Sequence, residues 1–114
     1  MKEENIIRRK EHFASLYLIY GKLLSRKTAK RMESFYLDDL SLSEIALNEG
    51  VSRSAVQQAI KDGEKELERY EEKVGVLKRT KRLEDLLDRL GKEEDDTKRK
   101  SLLKEAKGVL DNGI

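Results

Sequence analysis

Apolar residues recur every three or four positions along most of this chain, which is the spacing of one face of an amphipathic helix. A first helix is predicted from about Glu4 to Leu24. A second begins after Ser25, whose hydroxyl can cap the amides of its first turn, and ends near Asp38 or Asp39. The apolar faces consist of Ile6, Phe13, Leu16, Tyr17, Tyr20, Leu23 and Leu24 in the first helix and Ala29, Met32, Phe35 and Tyr36 in the second.

The stretch from Ser41 to Ile60 is the most informative part of the sequence. Ser41 and Glu44 have the spacing of a capping box, in which each side chain accepts from the other's backbone amide. Gly50 stands where a short helix must enter a left-handed turn, and Ser52 can cap the helix that follows. The small and apolar positions of the motif are Ile45, Ala46, Val51, Val56 and Ile60. This combination predicts a helix-turn-helix.

The second helix of the motif is predicted to continue beyond it, because apolar residues keep the alternating spacing of a heptad seam. The seam consists of Val56, Ile60, Gly63, Leu67, Tyr70, Val74 and Leu77, with Gly63 also permitting close approach of a neighbour. A leucine stripe follows at Leu83, Leu86, Leu87 and Leu90, before Gly91. A last helix, capped by Asp95 or Asp96, carries Leu102, Leu103, Ala106, Val109 and Leu110 and ends at Asn112 and Gly113.

These helices predict an all-α fold with a helix-turn-helix domain at residues 1–62 and a helical extension or dimerisation arm at 63–114. The seam needs a cover, which either the last two helices or a second copy of the chain could supply. A seam of this length favours a homodimer.

Composition agrees with exposed helices that carry narrow apolar stripes. Of 114 residues, 37% are hydrophobic, 42% charged and 5% aromatic, and the chain contains no proline or cysteine. Disulfides and thiolate metal sites are therefore excluded. No apolar run approaches the length of about 18 residues that marks a membrane helix, and no secretory signal is recognisable, so we expect a cytoplasmic protein.

The residues from Ser41 to Ile60, with the flanks Phe35–Leu40 and Glu68–Lys73, resemble the bacterial YlxM family. The resemblance covers about Leu16 to Leu90. It implies a helix-turn-helix like that of region four of sigma factors, and a regulatory or accessory role in the signal recognition particle pathway, beside whose genes the family's genes commonly lie. The sequence differs from the family pattern at Glu49, where an aromatic residue is usual, and at Gln57 and Gln58, where tyrosine and aspartate are usual.

A DNA-binding helix-turn-helix inserts its second helix into the major groove, so the outward residues of that helix are candidate contacts. Arginine pairs with guanine and glutamine with adenine, which makes Arg53 and either Gln57 or Gln58 candidate readers of bases. Cations of the preceding helix could hold phosphates. The predicted DNA-binding residues are Ser52, Arg53, Ser54, Gln57, Gln58, Lys61, Lys27, Lys30 and Arg31.

Two alternatives to DNA remain open at this point. The formal net charge is only +2, and acids crowd residues 62–72, so the same fold could serve protein contact. RNA of the signal recognition particle is the other alternative, although most aromatic rings lie on apolar stripes and few would be free to stack on bases. The only histidine is His12 and no Gly-rich phosphate loop is present, so we expect no enzyme, catalytic residue, metal or cofactor.

Overall fold

A computed structural model describes residues 2–112, and within them the chain forms six α-helices. Their bounds are Lys2–Tyr20 (α1), Arg26–Tyr36 (α2), Leu42–Glu49 (α3), Arg53–Val74 (α4), Val76–Lys92 (α5) and Asp96–Asn112 (α6). A 3-10 turn at Gly21–Leu23 follows α1. The predicted all-α fold is confirmed, with α3 and α4 as the helix-turn-helix. Gly113, predicted to follow the last helix, lies outside the described residues.

The chain divides into two compact units, Met1–Lys73 and Val74–Ile114. The first contains α1 to α3 and nearly all of α4, and the second contains α5 and α6. The boundary predicted at residue 62, between the helix-turn-helix domain and the helical extension or dimerisation arm, stays a prediction.

The helix-turn-helix is held by one apolar cluster. Its buried members are Ile45 and Ala46 of α3 and Val56 and Ile60 of α4. Side chains before and at the start of α3 pack against them, namely Phe35, Tyr36, Leu40 and Leu42. Val51, predicted to belong to this core, is 37% exposed because it lies in the turn itself.

The seam of α4 packs against the helices that precede it in the chain. A Cβ at Gly63 would lie 2.5 Å from Met32 Sδ and 3.0 Å from Thr28 Cγ2 of α2, so α2 approaches α4 as closely as only glycine permits. Next to it, Glu64 binds Arg9 of α1. The part of the seam from Val56 to Gly63 is therefore covered by helices of the first unit. For this part, the expectation that the last two helices or a second copy would cover it is wrong.

α4 ends earlier than predicted. The helix stops at Val74, and Gly75 adopts a left-handed conformation with φ of 69°. α5 begins at Val76, so Leu77 belongs to α5 and does not extend the seam. Glycine reaches this conformation without the steric cost of a Cβ, which is why the helix ends here.

The apolar face of α1 is shorter than predicted. Phe13, Leu16 and Tyr20 are buried, but Ile6 is 62% exposed and Leu23, in the 3-10 turn, is 61% exposed. Every described residue before Lys10 is exposed, so the packed part of α1 begins near Phe13.

The second unit is a helical hairpin. Leu86 of α5 and Leu102 and Ala106 of α6 are buried in its core, and Leu83, Leu90 and Val109 pack against them. Asp95 Oδ1 accepts a hydrogen bond from the amide of Lys98 at 3.0 Å, which confirms the predicted cap of the last helix. Among the described helices of both units, none is long and apolar enough to cross a membrane.

Candidate nucleic-acid interface

The start of α3 and the turn between α3 and α4 are built from local hydrogen bonds that the sequence predicted. Ser41 Oγ accepts from the amide of Glu44 at 3.1 Å, and Glu44 Oε1 accepts from the amide of Ser41 at 3.0 Å. Gly50 ends α3 with φ of 69°, and its amide donates to the Ala46 carbonyl. Ser52 Oγ then accepts from the amide of Ala55 at 3.0 Å and caps α4. The bonds of Gly50 and Ser52 fix where α4 begins, and hence which of its residues are exposed in its first turn.

Arg53, Ser54 and Gln57 occupy the first two turns of α4 and are exposed. Within residues 2–112, none of these three side chains forms a hydrogen bond or an ion pair with protein atoms. Gln58 differs, because its side-chain amide donates to Asp62 Oδ1 at 2.9 Å one turn later. Arg53, Ser54 and Gln57 are therefore the predicted site residues with groups available to a ligand at this end of α4, while Ser52 serves as the cap.

Lys61 lies in a groove between α1 and α4 that sequence analysis did not foresee. The groove has a volume of about 630 Å³ and is lined by Arg9, Phe13, Lys61, Glu64, Lys65, Glu68 and Arg69. Lys61, Lys65 and Arg69 follow Gln57 at intervals of four residues, so they form one row along α4. Sequence analysis missed Lys65 and Arg69. The four-residue spacing could have predicted a row of cations on one side of the helix, but Glu64, Glu66 and Glu68 alternate with these cations in the sequence.

The two acidic side chains of the groove each interact with other side chains of the protein. Glu64 is only 7% exposed, and its carboxylate accepts from Arg9 at 2.9 Å and from the Tyr36 hydroxyl. Glu68 Oε1 lies 2.8 Å from His12 Nε2. The cations of the row lack such partners among the described residues, so the row leaves positive charge on this side of α4.

The Tyr36 phenol is held in its neutral form. Burial raises its pKa well above the usual value, and the hydrogen bond to Glu64 and the charge of that carboxylate raise it further, against the opposing charge of Arg9. The guanidinium of Arg9 also lies 4.9 Å from the centre of the Phe13 ring. The contacts of Glu64 with Arg9 and Tyr36 thus connect α4 to α1 and α2.

The three predicted cations of α2 have different surroundings. Lys27 and Lys30 are exposed. Arg31 Nε donates to both carboxylate oxygens of Glu49, at 2.9 and 3.1 Å, and its side chain is only 10% exposed. Glu49, which differs from the family pattern, thus connects the end of α3 to α2. A phosphate contact by Arg31 stays a prediction, and the ion pair gives this residue a structural role.

The acidic clusters have local structural roles. Lys10 Nζ donates to Asp39 Oδ1 at 2.9 Å, and this bond together with the charge of Lys10 lowers the pKa of Asp39. Near the start of α6, Glu93 Oε1 accepts from the amide of Asp95 at 3.2 Å. Over the part of the chain that the structure describes, no group of three or more histidine and acidic side chains is placed to hold a metal ion.

Comparisons with known proteins agree with this architecture. Residues 7–107 match the family described as "Putative helix-turn-helix protein, YlxM / p13 like". The UPF0122 protein lin1916 of Listeria innocua is 41% identical over 96 residues, which are 84% of this chain and 86% of that protein. The UPF0122 protein GK1195 of Geobacillus kaustophilus is 45% identical over 75 residues, 66% of this chain and 68% of that protein. The chain belongs to the YlxM / p13-like family of helix-turn-helix proteins.

Proposed function

We propose that this protein is a DNA-binding regulator that reads the major groove with the first turns of α4. The observation that carries the proposal is the presence of Arg53, Ser54 and Gln57 on the exposed start of the second helix of a helix-turn-helix, with no protein partner among residues 2–112. A side chain with unsatisfied donors at this position can exchange water for base edges without first breaking an internal bond.

Each group has a definite task in this arrangement. The Arg53 guanidinium offers two parallel donors to the acceptors of guanine, and the Gln57 amide offers a donor and an acceptor to adenine. Ser54 would contact a phosphate or a base edge. The α4 amino terminus, capped by Ser52, carries the positive end of the helix dipole and so favours a phosphate there. Gln58 would have to give up its bond to Asp62 to take part.

Phosphate contacts come from two sides. Lys27 and Lys30 of α2 are exposed, and Lys61 begins the cationic row that Lys65 and Arg69 continue. Cations flanking a recognition helix fix its orientation on the duplex and give binding its salt dependence. Arg31 is the third proposed phosphate contact of α2, and its ion pair with Glu49 also holds α2 against the end of α3.

The cellular process is proposed from the family resemblance. A family whose genes commonly lie beside those of the signal recognition particle fits a cytoplasmic regulator acting in or on protein targeting. A protein- or RNA-interaction module of the same pathway is the second candidate. It is favoured by Leu47, which is 83% exposed on α3 and presents an apolar side chain beside the turn.

The experiment is selection of bound sequences from a genomic DNA library, with signal recognition particle RNA tested in parallel at several salt concentrations. We expect a short DNA motif to be enriched and its affinity to fall steeply as salt rises. Arg53→Glu should abolish that binding and leave helicity unchanged. The matched control is Arg89→Glu, the same charge change at an exposed position of α5, which should leave binding within about twofold.

Three results would contradict the proposal. Binding that survives Arg53→Glu would show that α4 is not the reader. RNA bound in preference to DNA would favour the RNA-interaction module. Absence of binding to either nucleic acid at physiological salt would favour the protein-interaction module, and Leu47→Lys would then be the first variant to test against a protein partner.

A further inference from the structure

The hairpin of α5 and α6 exposes three large apolar side chains. Leu87 is 52% exposed, Leu103 45% and Leu110 55%. Among the described residues, the buried cluster between the two helices contains Leu86, Leu102 and Ala106, with Leu83, Leu90 and Val109 partly buried against it. Because so small a core contributes little to the free energy of unfolding, covering the exposed leucines with a further surface would stabilise the hairpin.

The three leucines share one face of the hairpin, as helix geometry shows. Leu87 directly follows buried Leu86, and Leu103 directly follows buried Leu102. Each of the two leucines is therefore turned by about 100° around its helix axis from a core residue, in the same direction along the chain. Arg82 and Glu105 each precede a core residue and are rotated the other way. Because Arg82 and Glu105 meet in an ion pair at 3.6 Å, the opposite sides of the two helices also share a face. Leu110, seven residues after Leu103, lies with it.

Opposite charges border this leucine face on the two helices. On the corresponding side of α5, the exposed acids Glu84 and Asp88 outnumber one exposed cation, Lys81, which lies seven residues before Asp88. On α6, Lys100, Lys104 and Lys107 outnumber Asp111 at the corresponding outward positions, and all four are exposed. The α5 border is therefore predominantly acidic and the α6 border predominantly basic.

We propose that this leucine face binds the same face of a second copy of the chain, with α5 of each copy against α6 of the other. A two-fold axis parallel to the helices produces this pairing and forms a four-helix bundle. It sets the acidic border of each copy against the basic border of the other. An axis across the helices would instead set α5 against α5 and oppose acids to acids. The charge pattern therefore selects both the partner and its orientation.

This interface differs from the α4 seam, which the first unit already covers from Val56 to Gly63, and it does not depend on DNA binding. If the proposed function also holds, a dimer would supply two recognition helices to one DNA molecule. If the proposed function fails, the dimer remains testable in the absence of nucleic acid.

The test is sedimentation equilibrium of the full chain over a wide range of concentrations. The wild-type protein should have the mass of two chains, each of 13.2 kDa. Leu103→Lys should raise the dissociation constant by about 30-fold or more, because each dimer loses two buried leucines. The control is Leu18→Lys, an equally apolar residue that is 71% exposed on α1, and it should leave the dissociation constant unchanged. Circular dichroism of both variants checks that helicity is retained.

A charge exchange tests the orientation without removing any leucine. Glu84→Lys alone and Lys107→Glu alone should each weaken the dimer by about three- to tenfold, and the double variant should recover most of the loss. A monomeric wild-type protein would overturn the proposal. So would a dimer that Leu103→Lys and Leu18→Lys affect equally, or a double variant weaker than both singles.

Discussion

Arg31 holds Glu49 through two hydrogen bonds from the same nitrogen, at 2.9 and 3.1 Å, and so joins α2 to the last residue of α3. Both side chains are largely shielded, at 10% and 28% exposure. An ion pair in such surroundings is weakly screened by salt, and the loss of either partner leaves the other poorly solvated.

Arg31→Ala should therefore lower the free energy of unfolding by about 1–3 kcal/mol, between the values for exposed and fully buried pairs. Lys30→Ala, on the same helix but exposed, should change it by less than about 0.5 kcal/mol. Urea denaturation measures both. Lys30→Ala should nevertheless reduce the salt dependence of DNA affinity, because Lys30 is a proposed phosphate contact. Equal stability of the two variants would refute the structural role of Arg31.

Gly63→Ala should destabilise the protein by about 1–3 kcal/mol, because the added methyl group would lie 2.5 Å from Sδ of fully buried Met32. The control is Gly108→Ala in α6, where a Cβ meets nothing within 4 Å. That change should stabilise α6 by about 0.5–1 kcal/mol through helix propensity alone. Thermal and urea unfolding distinguish the two signs. Stabilisation by Gly63→Ala would show that α2 and α4 are not in close contact.

The raised pKa of Tyr36 predicts a loss of stability at alkaline pH. Below about pH 10, the pKa of tyrosine in the unfolded chain, Tyr36 is protonated in both the folded and the unfolded state. Its contribution to the free energy of unfolding is then fully present. As pH rises above that value, the unfolded state releases the proton first and the folded state is progressively disfavoured. The free energy of unfolding should therefore fall less steeply above pH 10 in Tyr36→Phe than in the wild-type protein.

Absorbance of tyrosinate checks the same prediction independently, because Tyr36→Phe removes a phenol whose pKa is raised well above the usual value. At neutral pH the variant should also lose about 1 kcal/mol, because the buried Glu64 carboxylate loses a donor. Identical alkaline slopes in the two proteins would contradict the packing of the phenol against Glu64.

Substitutions of Ser52 separate helix capping from DNA binding. Ser52→Ala removes the acceptor of the Ala55 amide and should cost about 1 kcal/mol of stability. Ser52→Asp keeps an acceptor at the cap and should retain stability, but it places a negative charge where phosphates are proposed to lie. DNA binding should therefore be lost in Ser52→Asp while the melting temperature stays near that of the wild-type protein. Wild-type DNA affinity in Ser52→Asp would argue against phosphate near this helix end.

Local structure around the motif could be predicted from residue spacing. Caps at Ser25, Ser41 and Ser52, and the left-handed Gly50, join residues within a few positions of one another, so their spacing alone was sufficient. The same reasoning could have placed the end of α4, because Gly75 interrupts the seam as Gly50 ends α3. The heptad spacing across Gly75 concealed that signal.

The ion-pair partners of the charged side chains, and the helices that cover each apolar face, became known only from the three-dimensional packing. Arg31 and Glu49 are separated by 18 positions, and Arg9 and Glu64 by 55, so no local pattern could pair them. Likewise, helical spacing showed that α4 has an apolar face but not that α2 covers it at Gly63. A helix period gives the direction of each side chain, whereas its partner depends on how distant segments pack, and that is a property of the whole fold.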